Sequence, residues 1–218
     1  ARVVREQFIS AMYDKDIGKA FADAPTTLFG IMIATVSLSW ILSALVGFDS
    51  VSAELQHRSV RYWTVRSRRT SFFIGKNLGV FAVVSLLTLA MHLTSWIVVM
   101  VRGGAPVSTT LTYGTHLWLA TLPIAFAWCA LTTFISALFR SPILALLLTC
   151  ATAFAFWLTS TIGRMAEYKA LIWLHPGYYD HLLLSPSPER WSLGVAACLG
   201  WGLVFLLAGS FIFERRDA

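Results

Sequence analysis

The residues able to do chemistry are few, and their spacing limits what they can do. The chain of 218 residues holds five histidines, three cysteines and 11 acidic residues. His92 alone among the ionisable groups stands in the middle of a long apolar run. Its plain role is a helix-to-helix hydrogen bond with Ser or Thr neighbours; the sharper alternative is a proton relay or a metal ligand. His116 reads as an interface residue at a span end. His175 and His181 flank Tyr178, Tyr179 and Asp180, where interfacial anchoring competes with a metal site. A haem or structural metal wants several His or Cys side chains converging, and the spacing supplies no such set. Cys129, Cys150 and Cys198 all fall in apolar runs, so they read as free thiols rather than a disulfide framework. Gly75-Lys76 is followed by Asn77, and the position five before Gly75 is Thr70. The chain therefore lacks a phosphate-binding loop of the Gly-x-x-x-x-Gly-Lys-Ser/Thr kind. It also lacks Gly-x-Ser-x-Gly and His-Glu-x-x-His motifs. No catalytic, cofactor-binding or metal residue is expected, and the chain is read as a non-enzyme.

The elements that carry these residues are set by hydropathy. Hydrophobic residues make up 57% of the chain and charged ones 13%, with nine Trp and a mean hydropathy of +0.69. A soluble domain carries roughly twice that share of charge, so lipid is the expected solvent. Five stretches reach the roughly 20 apolar residues that cross a bilayer as a helix: 26–47, 78–101, 115–139, 142–163 and 192–213. None contains Asp, Glu, Lys or Arg. Long unbroken runs favour helices over the short alternating strands of a barrel. The expected fold is an all-α polytopic bundle forming one transmembrane domain over 1–218. Segment 48–77 and the outer interfacial segments 1–25 and 164–190 lie between or beside the spans.

Charge placement gives direction. Segment 48–77 carries Arg58, Arg61, Arg66, Arg68, Arg69 and Lys76; Arg140, Arg215 and Arg216 lie on the same side by parity. That side holds nine basic residues in about 37 positions, the other eight in about 65. Positive residues stay in the cytoplasm, so 48–77 and the C-terminus are expected there, in a cell (inner) membrane. The net charge of +6 then marks orientation, not nucleic acid. Five spans with the C-terminus inside leave residue 1 outside, so either the N-terminus is external or, the favoured reading, an earlier span precedes this sequence. In Val4–Phe21, Val4, Phe8, Met12 and Ile17 recur at near-helical spacing, as in an amphipathic helix at the outer interface. In Arg164–Arg190, two short apolar runs broken by His175-Pro176-Gly177 read as short helices dipping into the outer face.

The segment 48–76 is the most informative. Glu54 and Arg58 stand at i,i+4 with the acid first, the favoured order on a helix. Val51, Leu55 and Tyr62 share a face, with Trp63 beside it; a basic turn and an apolar re-entry at Lys76 follow. Thirty residues exceed what a connection needs, so an exposed aromatic helix here suggests docking. Arg66, Arg68, Arg69 and Lys76 read equally as anchors on anionic lipid.

This pattern resembles the ABC transporter type-2 permease family, the membrane subunits of ATP-driven exporters. Glu54, the Ser59-Val60 pair, Arg69 and Gly75-Lys76 stand where that family places a Glu-containing helix, a Thr-Leu-like step, a Pro-x-x-Arg-like turn and a Gly-Lys pair. Ser59 replaces the usual Thr, and Arg66 stands near the usual Pro. The tight turn Arg140-Ser141-Pro142, the re-entrant segment before the last span and the short basic tail follow the family layout, which has six spans. The resemblance implies a coupling helix around Val51–Trp63, contacting an ATPase through Glu54, Arg58, Arg61, Tyr62 and Trp63. It implies two ABC ATPase subunits binding ATP and Mg, and a second permease subunit, identical or paralogous. Ser37, Ser39 and Ser43 in the first span, with Thr35 nearby, either face the path or serve ordinary bundle packing. Gly194, Ala197, Gly200, Gly202 and Gly209 permit close helix approach, and Pro123 is a candidate hinge. The alternative is a polytopic scaffold or assembly protein that docks a cytoplasmic partner and transports nothing.

Overall fold

The computed structural model describes residues 2–59 and 68–215. All its regular elements are helices. In chain order they are α1 (Arg2–Met12), α2 (Lys15–Ala20), α3 (Thr26–Gly47), α4 (Ser52–Gln56), α5 (Arg69–Val101), α6 (Val107–Leu138) and α7 (Pro142–Met165). Then come α8 (Lys169–Ile172), a 3-10 turn (Pro176–Tyr179), α9 (Asp180–Leu183) and α10 (Pro188–Arg215). Five of them, α3, α5, α6, α7 and α10, are long and apolar enough to cross a membrane.

α6 is the axis of the bundle. It is apolar on every side, and most of its central residues are buried, Leu117, Ile124, Trp128, Cys129 and Ile135 among them. A helix without a polar face has no solvent side to turn outward, so it is covered by neighbours. α3, α5 and α10 surround it, and α7 lies against its edge. The other spans bury one face and expose large apolar side chains on the other, as at Leu86, Leu147, Phe154 and Leu207. Those faces suit lipid or a second subunit. Pro123 lies inside α6, which remains helical through it.

In lipid, apolar side chains gain little by meeting one another, so close backbone approach and hydrogen bonding select the contacts. α3 turns Thr35, Ser39, Ser43 and Gly47, each four residues apart, into the bundle. Ser43 Oγ meets Cys129 Sγ of α6 at 3.3 Å. On α10, a Cβ at Gly202 would stand 2.3 Å from the Phe126 ring, and one at Gly209 2.3 Å from the Phe73 ring. These two glycines let the aromatic rings of Phe126 on α6 and Phe73 on α5 come close to the α10 backbone.

Two spans keep the boundaries the sequence implies, 26–47 and the start at Pro142. The others are longer. α5 begins nine residues before position 78, α6 begins at Val107, and α10 runs from Pro188 to Arg215. Their added turns carry Arg69, Lys76, Glu189, Arg190, Glu214 and Arg215, polar ends that hydropathy excludes but that reach out of the apolar layer.

The end remote from α4 is built from short pieces. The amphipathic stretch is two helices, broken at Tyr13-Asp14, because the Asp14 side chain accepts from Lys15 N (2.6 Å) and caps α2. Val4, Phe8 and Met12 are exposed, whereas Ile9 and Ile17 are buried. Tyr13 Oη donates to Asp180 Oδ2 (2.9 Å), and Arg190 pairs with Asp14 (3.5 Å). These contacts fasten α1 and α2 to the re-entrant segment and the start of α10.

Candidate partner-docking site

The helix α4 lies at the end of the bundle where α3 runs out and α5 begins. Val51 and Leu55 bury against Phe73, Ala137 and Phe213, which come from α5, α6 and α10. Phe72 and Phe73 both lie against the Phe213 ring, at 5.7 and 6.1 Å. A five-residue helix is too short to be stable alone. Tertiary contacts therefore hold it, and they touch three spans at once.

Ser136 of α6 is the centre of this attachment. Its fully buried hydroxyl accepts from Val51 N (3.1 Å) and Ser52 N (3.0 Å) and donates to Phe48 O (2.8 Å). The first amides of α4 have no partner within that helix, and the Ser136 oxygen satisfies them from another span. Nothing in the sequence marks this serine, since its partners lie 84 to 88 residues away.

Of the candidate contacts, Glu54 turns inward. Its Oε1 pairs with Lys76 Nζ of α5 at 2.9 Å, and its other oxygen accepts from the Ser59 hydroxyl. Lys76 also lies over the Phe72 ring, 5.4 Å from its centroid. The helical Glu54–Arg58 pairing expected from the spacing does not form. α4 ends at Gln56, and Arg58 sits in the left-handed region at φ 57°. Arg58 is exposed, as are His57 and Arg68. Arg69 Nη1 donates to Glu214 O (3.1 Å) and Thr70 Oγ1 to Glu214 Oε1 (3.0 Å), tying α5 to the end of α10. The guanidinium of Arg215 covers the Phe211 ring at 3.9 Å. Arg61, Tyr62, Trp63 and Arg66 lie outside the described residues. The structure thus brings together Glu54, Ser59 and Lys76, and leaves Arg58 and Arg68 on the surface beside them.

The histidines take other places. His92 Nδ1 lies 2.9 Å from Thr88 O of its own helix, so its bond is not the interhelical one expected. Its buried Nε2 has no partner among the described residues. The His116 ring lies tilted against Phe21 at the end of α2, with centroids 5.6 Å apart. Among the described residues, no three His, Cys, Asp or Glu side chains converge as a metal would require. In the re-entrant segment burial pushes Asp180 up to about 6, against the pull of Tyr13 and the His181 amide. Burial, with Arg164 nearby, lowers His175 to about 4. Tyr13 is raised, first by burial and then by the Asp180 carboxylate.

Set beside known proteins, the chain matches no family model and no curated protein.

Proposed function

We propose that this chain is the permease subunit of an ATP-binding cassette exporter, acting as a dimer and driven by a separate ATPase. The observation that carries the reading is the attachment of α4. A short helix beside exposed arginines is clamped to α5, α6 and α10 together, through Lys76, Ser136 and Phe213. A push on such an element reaches three spans as a rigid displacement, because packed cores do not deform continuously. The resemblance of segment 48–76 to a coupling segment supports the same reading. In this scheme 48–77 and the C-terminus face the cytoplasm of a cell membrane. Arg58, Arg61, Tyr62 and Trp63 contact the ATPase. Glu54 acts from within, by holding α4 on Lys76. Arg66, Arg68 and Arg69 meet anionic headgroups. ATP and Mg belong to the partner. Closure of two ATPases draws the α4 helices of two copies together, and the bundle opens on the far side.

The test is charge reversal at two arginines of this segment. Arg58→Glu with Arg61→Glu should leave the chain inserted and folded but reduce the amount of ATPase retained in detergent by about tenfold, the effect of a lost charge-assisted contact set. Retention of the ATPase at wild-type stoichiometry by the double variant would overturn the docking assignment. A scaffold, by contrast, would hold a partner lacking ATPase activity.

A further inference from the structure

A cleft of about 540 Å³ opens between α3 and α7, lined by Ser37, Trp40, Ala153, Phe154, Trp157 and His175. That size is in the range of small-molecule sites. Its walls are aromatic. Phe154 and Trp157 stack at 5.7 Å and are exposed on the outer face of α7, which leaves the cleft open sideways. His175 enters from the re-entrant segment. The buried Trp128 ring supports it edge-on at 5.9 Å. Gly177 leaves room for it, since a Cβ there would stand 2.7 Å from His175 Cε1.

Two polar groups face this apolar space without partners. The hydroxyls of Thr35 and Ser39 bond back to Ile31 O and Val36 O, and Ser43 bonds Cys129. Ser37, on the same helix, has no hydrogen-bond partner among the described residues, and neither has the His175 ring. Polar groups in an apolar setting cost free energy until something pairs them. No lining residue carries a formal charge, and burial keeps the imidazole neutral above about pH 4. Ser37 is the twelfth of the 22 residues of α3, near mid-membrane, where a phospholipid offers only hydrocarbon.

We propose that the cleft binds an uncharged aromatic amphiphile, its rings between Trp40, Phe154 and Trp157 and its polar groups on Ser37 and His175. The ligand enters laterally from the membrane. As a binding site the cleft stands alone; that its occupant is the exported cargo rests on the function proposed above.

Photolabelling of the purified full chain in nanodiscs with 4-hydroxybenzophenone tests this. The account expects saturable labelling of the peptides carrying Trp40 and Trp157, falling about tenfold in His175→Phe, the effect of one lost hydrogen bond at a dry site. Ser37→Ala, which leaves packing intact, should lower it severalfold. Labelling that is non-saturable, spread equally over lipid-facing Leu86 and Leu207, or unchanged in both variants would overturn the site. So would occupation of the same peptides by a photoreactive phospholipid that excludes the benzophenone. Failure to recover an ATPase would leave a positive labelling result standing and sink only the exporter reading.

Discussion

The hydroxyl of Ser136 and the carboxyl of Asp180 illustrate what single groups do at the two ends of this bundle. Ser136 accepts two amides that otherwise stand unpaired and buried. Its loss costs about 1–3 kcal/mol for a group left unsatisfied. Ser136→Ala should therefore raise hydrogen exchange at Val51 and Ser52 by one to two orders of magnitude, with the α6 interior unchanged; unaltered exchange at those amides would contradict the hub. Asp180 acts through its proton. Burial raises it to about 6 from an ordinary 3.8, so the folded state binds the proton more tightly than the unfolded one. Its contribution to stability is fully present below about pH 4 and is lost as pH rises through 6. His175, lowered to about 4 by burial, contributes the opposite slope over the same window, so the test is a difference. The wild-type chain should lose thermal stability in detergent relative to Asp180→Asn, which keeps an acceptor for Tyr13 without the charge, as pH rises from 4 to 7. A gain of the wild type over the variant across this window would have the wrong sign for the account.

At the scale of elements, α10 lies close against its neighbours because glycine stands where Phe126 and Phe73 lie. Gly209→Ala places a methyl 2.3 Å from the Phe73 ring, so something must move, at a cost of about 1–3 kcal/mol for overpacking. The variant should unfold several degrees lower, and Phe73→Leu in the same chain should restore part of the loss. Additive losses in the double variant would argue against direct contact. The spans themselves were legible in the sequence, since hydropathy and length are local properties. Their ends were not, because Arg69, Lys76 and Glu214 look like loop residues until Glu214 is seen to receive Arg69 and Thr70. The helix α4 was legible only in outline. Of the face read as Val51, Leu55 and Tyr62, the first two are buried, and Tyr62 lies outside the described residues. The i,i+4 rule then pairs Glu54 with Arg58, whereas α4 stops at Gln56 and Lys76, 22 residues away, takes the carboxylate. Pairings set by tertiary approach carry no local signature, and Ser136 is the plainest case.

For the whole molecule, a buried axis and four one-sided helices form a bundle whose outer faces suit lipid or another subunit. Its two ends differ in kind. One gathers α4, exposed arginines and the clamp on three spans; the other gathers α1, α2 and the re-entrant segment around Asp180. An α3–α7 cleft with unpaired polar groups lies between them. This asymmetry fits a device that receives force at one end and opens at the other. The central claim of the proposed reading is that an ATPase docks on the α4 end. The direct measurement is purification of the full chain from its native membrane in mild detergent, with quantitative mass spectrometry and ATP hydrolysis assayed on the same fraction. The account predicts one subunit with a phosphate-binding loop per chain and Mg-dependent ATP hydrolysis, both reduced about tenfold with Arg58→Glu and Arg61→Glu. A folded chain that purifies without any such subunit, or with a stoichiometric partner that hydrolyses no ATP, would contradict it.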